Sequence, residues 1–212
     1  LLSGAKARVD FSQRGFTVSN ASARALGGDL AFEGGSSAGL SGGDSQRFSG
    51  RGTATAEALR QAPELGTVAR LATSLSGQTS YRAALAFVGG RPQISVASNL
   101  VGMGIELPAP LVKAAPTPLA LRVRTGPEDA SIASGDVAAT ARDALQVDLG
   151  GTLQAHFVRE GSGDASRVVR GAVHRHPGAA TRHDAALVVI DNQDPSVHGT
   201  FLYTTIRPLA IR

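Results

Sequence analysis

Apolar residues recur at every second position through most of this chain, and glycine-bearing turns separate the runs. Tyr81, Ala83, Leu85 and Phe87 alternate with Arg82, Ala84, Ala86 and Val88; Ile94 and Val96 follow after Gly89-Gly90. Val101, Met103, Ile105 and Leu107 alternate with Gly102, Gly104, Glu106 and Pro108. A period of two puts such side chains on one face of a strand. Pro108 and Pro110 forbid a helix and end that ladder, and a further run begins at Leu119, Leu121 and Val123 with Arg122 and Arg124 opposed. The expected fold is therefore mainly β, an antiparallel meander of hairpins, curved or groove-forming, with one short α-helix packed on it.

That helix is expected over residues 63–76. Leu65, Val68, Ala69, Ala72 and Leu75 recur at three- and four-residue steps, with Pro63 in the first turn and Gly77 past the end. A helical turn across Glu57 to Gln61 precedes it. The strand run before it, Arg47 to Ala56, has Phe48, Gly50, Gly52, Ala54 and Ala56 on one side. A face that small suggests close approach by a helix or a second sheet. Residues 34–44 are rich in Gly and Ser and read as a flexible loop or tip. Further strands are expected at Ile132 to Val137, Leu145 to Leu149, Leu153 to Phe157, Arg167 to Val173, Leu187 to Ile190 and Thr200 to Ile206. The whole is expected to be a single β-rich segment, residues 1–212, with a subdivision near 126–140.

The core is thin. Hydrophobic residues make up 42% of the 212 residues, yet aromatics make up 4% and there is no Trp, so most apolar volume comes from Ala, Val and Leu. Cysteine is absent, which excludes disulfides and thiolate metal sites. The net charge of +4 is spread along the sequence, almost entirely as Arg, without the aromatic-interleaved basic stripe of a nucleic-acid binder. No nucleic-acid partner is expected. No apolar run approaches the ~20 residues that span a bilayer. The chain opens Leu1-Leu2 without an initiator Met and reads as a segment of something longer.

Groups able to do chemistry are few. His174 and His176 share a strand face, with His183 and Asp184 nearby, but the intervening Pro, Gly and Arg suit an exposed loop better than a fixed ligand set. Glu128-Asp129 and Asp191 with Asp194 sit in turn contexts and lack calcium-loop spacing. No serine lies in the strand-to-helix setting of a nucleophile elbow. The expectation is no enzyme, no metal and no cofactor. Apolar alternation is what remains, and it fits two readings: an ordinary half-buried core, or the wall of an open groove for acyl chains.

One block narrows the choice. Ser98-Asn99-Leu100-Val101-Gly102, then Leu107-Pro108-Ala109-Pro110-Leu111, then Lys113 and Pro118-Leu119, resembles the signature of the YhdP family of AsmA-like envelope proteins. Gly50-Arg51-Gly52-Thr53-Ala54 and Leu75-Ser76-Gly77-Gln78-Thr79-Ser80-Tyr81 resemble that family in the same order; Asn99 stands where aspartate is commoner, and Met103-Gly104 is a second departure. The resemblance is strongest over residues 47–125.

It implies a periplasmic segment of a long protein, anchored in the inner membrane of a Gram-negative bacterium, whose β-rich groove helps move phospholipid toward the outer membrane. On that view the partners are phospholipid acyl chains and neighbouring segments of the same chain. The groove candidates are Val101, Met103, Ile105, Leu107, Leu119, Leu121 and Val123. Arg82, Arg122 and Arg124 are expected to face solvent, or lipid phosphates at a rim. The alternative is a scaffold or assembly domain of the periplasm that carries no lipid; a third reading has Arg-rich surface binding anionic headgroups in a salt-sensitive way.

Overall fold

Alternating strands joined by two- and three-residue turns can satisfy their backbone groups by pairing with the strand that precedes and the strand that follows. The computed structural model shows this arrangement; it describes residues 2–38, 44–65, 67–88, 90–108, 111–127, 142–160, 167–175 and 187–191. The chain divides into two compact units, Leu1–Leu121 and Arg122–Arg212.

In the first unit β1 (Leu2–Ser12), β2 (Gly15–Ala25), β3 (Gly27–Ala38), β4 (Asp44–Thr55), β5 (Leu75–Val88) and β6 (Arg91–Ser98) lie side by side in chain order, each antiparallel to the next. A short strand, β7 (Met103–Ile105), pairs with the start of β5. The turn from β2 to β3 places Ala25 opposite Gly28, with Leu26 at φ 54° and Gly27 at φ 83°. Two successive positive φ angles define the turn whose twist matches antiparallel strands, and leucine is a poor occupant of it. The Gly- and Ser-rich segment is strand at both ends, through Ala38 and from Asp44, and residues 39–43 lie outside the described set.

The helical region departs from a single helix over 63–76. It consists of α1 (Ala56–Arg60), a 3-10 turn at Pro63–Leu65, α2 (Thr67–Leu71) and a second 3-10 turn at Ala72–Ser74, after which β5 begins at Leu75. Leu75 is extended, at φ −107° and ψ 149°, and pairs with Ile105. Strand pairing takes the residue that helical periodicity claims. The stripe is buried only in part: Ala72 is fully covered, but Val68 is about half exposed. Thr55 caps α1 by accepting a hydrogen bond from the Ala58 N–H at 3.2 Å.

The best-covered apolar residues of this unit fall in two places: Val18, Ala21 and Ala23 along β2, and Ala54, Ala56, Ala62, Ala72, Leu100, Met103 and Ile105 where the helical region meets the strand ends. In β1 and through the middle of β3, β4, β5 and β6 no described residue is buried. The sheet's glycines have another explanation than an approaching second layer. A Cβ at Gly34 would collide with the Phe48 ring, and one at Gly52 would lie 2.9 Å from the ring of Tyr81. Each glycine leaves the space across which the next strand's aromatic ring lies flat.

In the second unit β8 (Leu121–Pro127), β9 (Arg142–Leu149), β10 (Leu153–Glu160), β11 (Arg167–Arg175) and β12 (Leu187–Asp191) follow in chain order, with β9 to β12 antiparallel. The first residue of β8 closes the first unit. Gly150 and Gly151, at φ 61° and 68°, make the turn into β10, closed by the Thr152 N–H donating to the Leu149 carbonyl at 3.0 Å. Gly171 repeats the glycine-under-ring device, its missing Cβ position 2.5 Å from the Phe157 ring. The segments at 132–137 and 200–206, and His176, His183 and Asp184, lie outside the described residues.

Candidate functional site

Register assembles the alternating residues of the first unit into lanes that cross the strands. One lane runs Val9, Val18, Gly34, Phe48, Leu85 and Ile94. The next runs Ala21, Phe32, Gly50, Ala83 and Val96, and a third Ala23, Leu30, Gly52, Tyr81 and Ser98. All stand on one face of the sheet. Phe16 and Phe48, carried by strands two apart, bring their ring centroids to 6.4 Å, although strands two apart are spaced by roughly 9.6 Å. These side chains therefore lean toward one another across β3.

The face is apolar and yet open. Val9 and Ile94 keep 42% and 43% of their surface, and Phe11, whose ring lies 6.3 Å from Phe16, keeps 82%. Most of the rest are half-buried by one another. The opposite face carries Arg24, Asp29, Glu33, Arg47, Arg51 and Arg82, all exposed. Tyr81 has its phenol pKa pushed above the usual value by burial. Of the residues in these three lanes only Tyr81 and Ser98 carry polar groups, and the Ser98 hydroxyl donates to the Ser80 carbonyl at 2.7 Å.

The signature stretch 98–123 is built differently from a long strand. Leu100, at φ 51°, and Gly102, at φ 90°, fold residues 100–103 into a tight turn in which the Met103 N–H donates to the Leu100 carbonyl at 3.2 Å. Between β6 and β8, among the described residues, only Met103–Ile105 is strand, and all three of its residues are buried. β5 pairs with one side of it. Lys113 pairs with the other, through mutual backbone hydrogen bonds to Ile105 of 2.9 and 3.0 Å.

The side chain of Lys113 turns inward. It is 7% exposed, and its Nζ donates to the carbonyls of Met103 at 2.6 Å, Ala114 at 3.0 Å and Ala115 at 3.3 Å. Burial without a facing carboxylate holds its ammonium below the usual lysine range. Sequence reading passed over this residue except as part of a motif. The available signal was one of only two lysines in the chain, lodged in an apolar, proline-rich run.

In the second unit the two faces also differ. On β8, Leu121, Val123 and Thr125 are half-buried while Arg122 and Arg124 are exposed. On the arginine side lies a concavity of about 400 Å³, lined by Arg122, Arg124, Gln146, Val147, Asp148, Gln154, Ala155, His156 and His174.

Compared with protein families, residues 2–194 match the YhdP protein family. The chain belongs to the YhdP family. This is a family of AsmA-like bacterial envelope proteins, and it is non-catalytic. No curated protein and no solved structure matches the chain.

Within this YhdP-family chain the sequence-derived candidates fall into three settings. Met103 and Ile105 are 2% and 7% exposed and pack beside Lys113, so they present little surface to any ligand. Val101, 43% exposed, sits in the turn, and Leu107, Leu119, Leu121 and Val123 are half-buried. The seven do not share one strand face, because the turn at 100–102 and the short β7 break the alternation. Arg82 stands exposed on the polar face with Arg51 as its cross-strand neighbour, while Arg122 and Arg124 border the concavity. Sequence reading saw the alternation of Phe48, Leu85, Phe87 and Val96 but not that register gathers it into one open face. Among the described residues no group of three or more His, Cys, Asp or Glu could hold a metal, and no helix is long and apolar enough to cross a membrane.

Proposed function

We propose that this segment carries phospholipid acyl chains along the apolar face of its antiparallel sheet, as the periplasmic part of an inner-membrane-anchored protein that passes phospholipid toward the outer membrane. One observation carries the reading: a six-stranded sheet whose apolar lanes are continuous and which, among the described residues, lacks a covering layer over its middle. An ordinary core of this size would be covered, because exposed apolar area costs roughly 25 cal/mol per Å². Val101, Leu107, Leu119, Leu121 and Val123 belong to the proposed lipid-facing set, with Met103 and Ile105 as the packing that anchors its end. Carrying intact acyl chains in this way breaks no bond and needs no catalytic group, and membership of a non-catalytic envelope family agrees with that.

A photo-crosslinking amino acid placed in the full-length protein, in cells, tests the reading. Substitution at Leu85, Phe48 or Val96 is expected to give phospholipid adducts, and substitution at Ser49, Arg51 or Arg82 on the opposite face none. Equal lipid labelling of both faces, or none on either, would sink it. Protein adducts in place of lipid at Leu85 and Phe48 would favour the scaffold alternative.

A further inference from the structure

The concavity of the second unit has a composition of its own. Register places Gln154 of β10 opposite Asp148 of β9 and His174 of β11, and His156 opposite Gln146 and Ala172. Arg122 and Arg124 of β8 complete the lining. Asp148 is the one carboxylate there, and both of its oxygens are engaged. Oδ1 accepts from the Gly151 N–H at 3.2 Å and Oδ2 from the Gln154 amide at 3.4 Å. Two guanidinium groups against one occupied carboxylate leave the concavity positive even with both imidazoles neutral.

From this donor set we propose that the concavity is a binding site for a phosphate ester, held by Arg122 and Arg124 with His156, His174 and the side-chain amides as further donors. Guanidinium forks match the oxygen geometry of phosphate and bind it in bidentate fashion. A volume of about 400 Å³ admits a whole small phosphate ester. The site lies on the side of β8 away from Leu121 and Val123, so it stands independently of the acyl-chain reading.

The phosphate ester has two possible sources, a soluble metabolite or a lipid headgroup presented by a membrane. The 212-residue chain is titrated with glycerol 3-phosphate while the imidazole carbon protons of His156 and His174 are followed by NMR. In parallel it is sedimented with phosphatidylcholine vesicles containing phosphatidylglycerol. The expected result is saturable movement of both imidazole signals, and loss of about tenfold or more in affinity in the R122Q/R124Q double variant. R47Q/R51Q, two exposed arginines of the first unit, leaves affinity unchanged and controls for general positive charge. Response to glycerol 3-phosphate supports the site with a soluble source. Vesicle binding that falls in R122Q/R124Q but not in R47Q/R51Q supports it with a headgroup source. Absence of both responses, or binding lost equally in R47Q/R51Q, overturns it. All six liganding side chains of the proposal are exposed, and the dispersion of the remaining NMR signals reports whether each variant is folded.

Discussion

Replacing Lys113 by methionine isolates the buried ammonium that ties β7 to the segment at Ala114 and Ala115. Methionine keeps the length and most of the volume of the side chain while removing charge and donors. Of the three carbonyls that Lys113 Nζ serves, Ala115 also accepts from the Gly102 N–H at 2.8 Å and Ala114 from the Thr117 N–H at 3.1 Å. Met103 offers its carbonyl to Nζ at 2.6 Å, the shortest of the three contacts, and loses that partner. One buried acceptor left without its charged donor costs about 1–3 kcal/mol, partly offset by no longer having to bury an ammonium. K113M is therefore expected to lower the stability of the chain by about 1–2 kcal/mol, read as a lower urea midpoint at unchanged m-value. Lys113→Arg is not expected to restore it, because a planar fork does not fit three carbonyls arranged around a point. The pH dependence has a definite sign. Burial lowers the folded-state pKa, so between that value and the unfolded one, about 10.4, the unfolded chain binds more protons. Wild-type stability gains a rising contribution with pH in that window, and K113M lacks it. A variant as stable as wild type, with the same alkaline profile, would refute the structural role given to Lys113.

Leu26→Asn replaces a leucine held at φ 54° by a residue that tolerates the left-handed region, and should stabilise the chain by about 0.5–1 kcal/mol in chemical denaturation. Gly151→Ala, at φ 68° with open space around it, tests strain alone and should cost about 1 kcal/mol. Gly52→Val pushes the Tyr81 ring out of its bed. In a Tyr203→Phe background, Tyr81 should then titrate closer to its ordinary value than the raised one that burial gives it, as followed by ultraviolet absorbance. The carboxylate of Glu57 is held below its usual pKa by the hydrogen bond and charge of Arg60, at 2.5 Å. Its contribution is present at neutral pH and fades as pH falls through and below the ordinary glutamate range, so wild type and Glu57→Gln should converge in acid thermal melts.

The sequence by itself determined the strand character of the chain, because a period of two with glycine turns leaves few alternatives. β5, β6, β9 and β10 fall where Tyr81 to Val88, Ile94 to Val96, Leu145 to Leu149 and Leu153 to Phe157 alternate. The family was also legible, since the Leu107 to Leu111 block and Lys113 are a fixed local pattern. Where local signals compete, tertiary pairing decided. Residues 72–75 have helical periodicity, but Leu75 gains a strand partner in Ile105, and a paired strand in a buried setting outweighs a few tenths of a kcal/mol per residue of helical preference. Val101 to Leu107 alternate as a strand would, yet Leu100 and Gly102 turn the backbone, and the buried Lys113 holds the result together. The glycines of β4 look like a bed for another layer, but the register sets Gly50 against Phe32 and Leu30 and Gly52 against Tyr81 of the same sheet. Which face lies open, and which donors meet around the concavity, depend on register between strands far apart in the chain. A one-dimensional pattern carries the period of each strand but not the pairing that aligns one strand's period with the next.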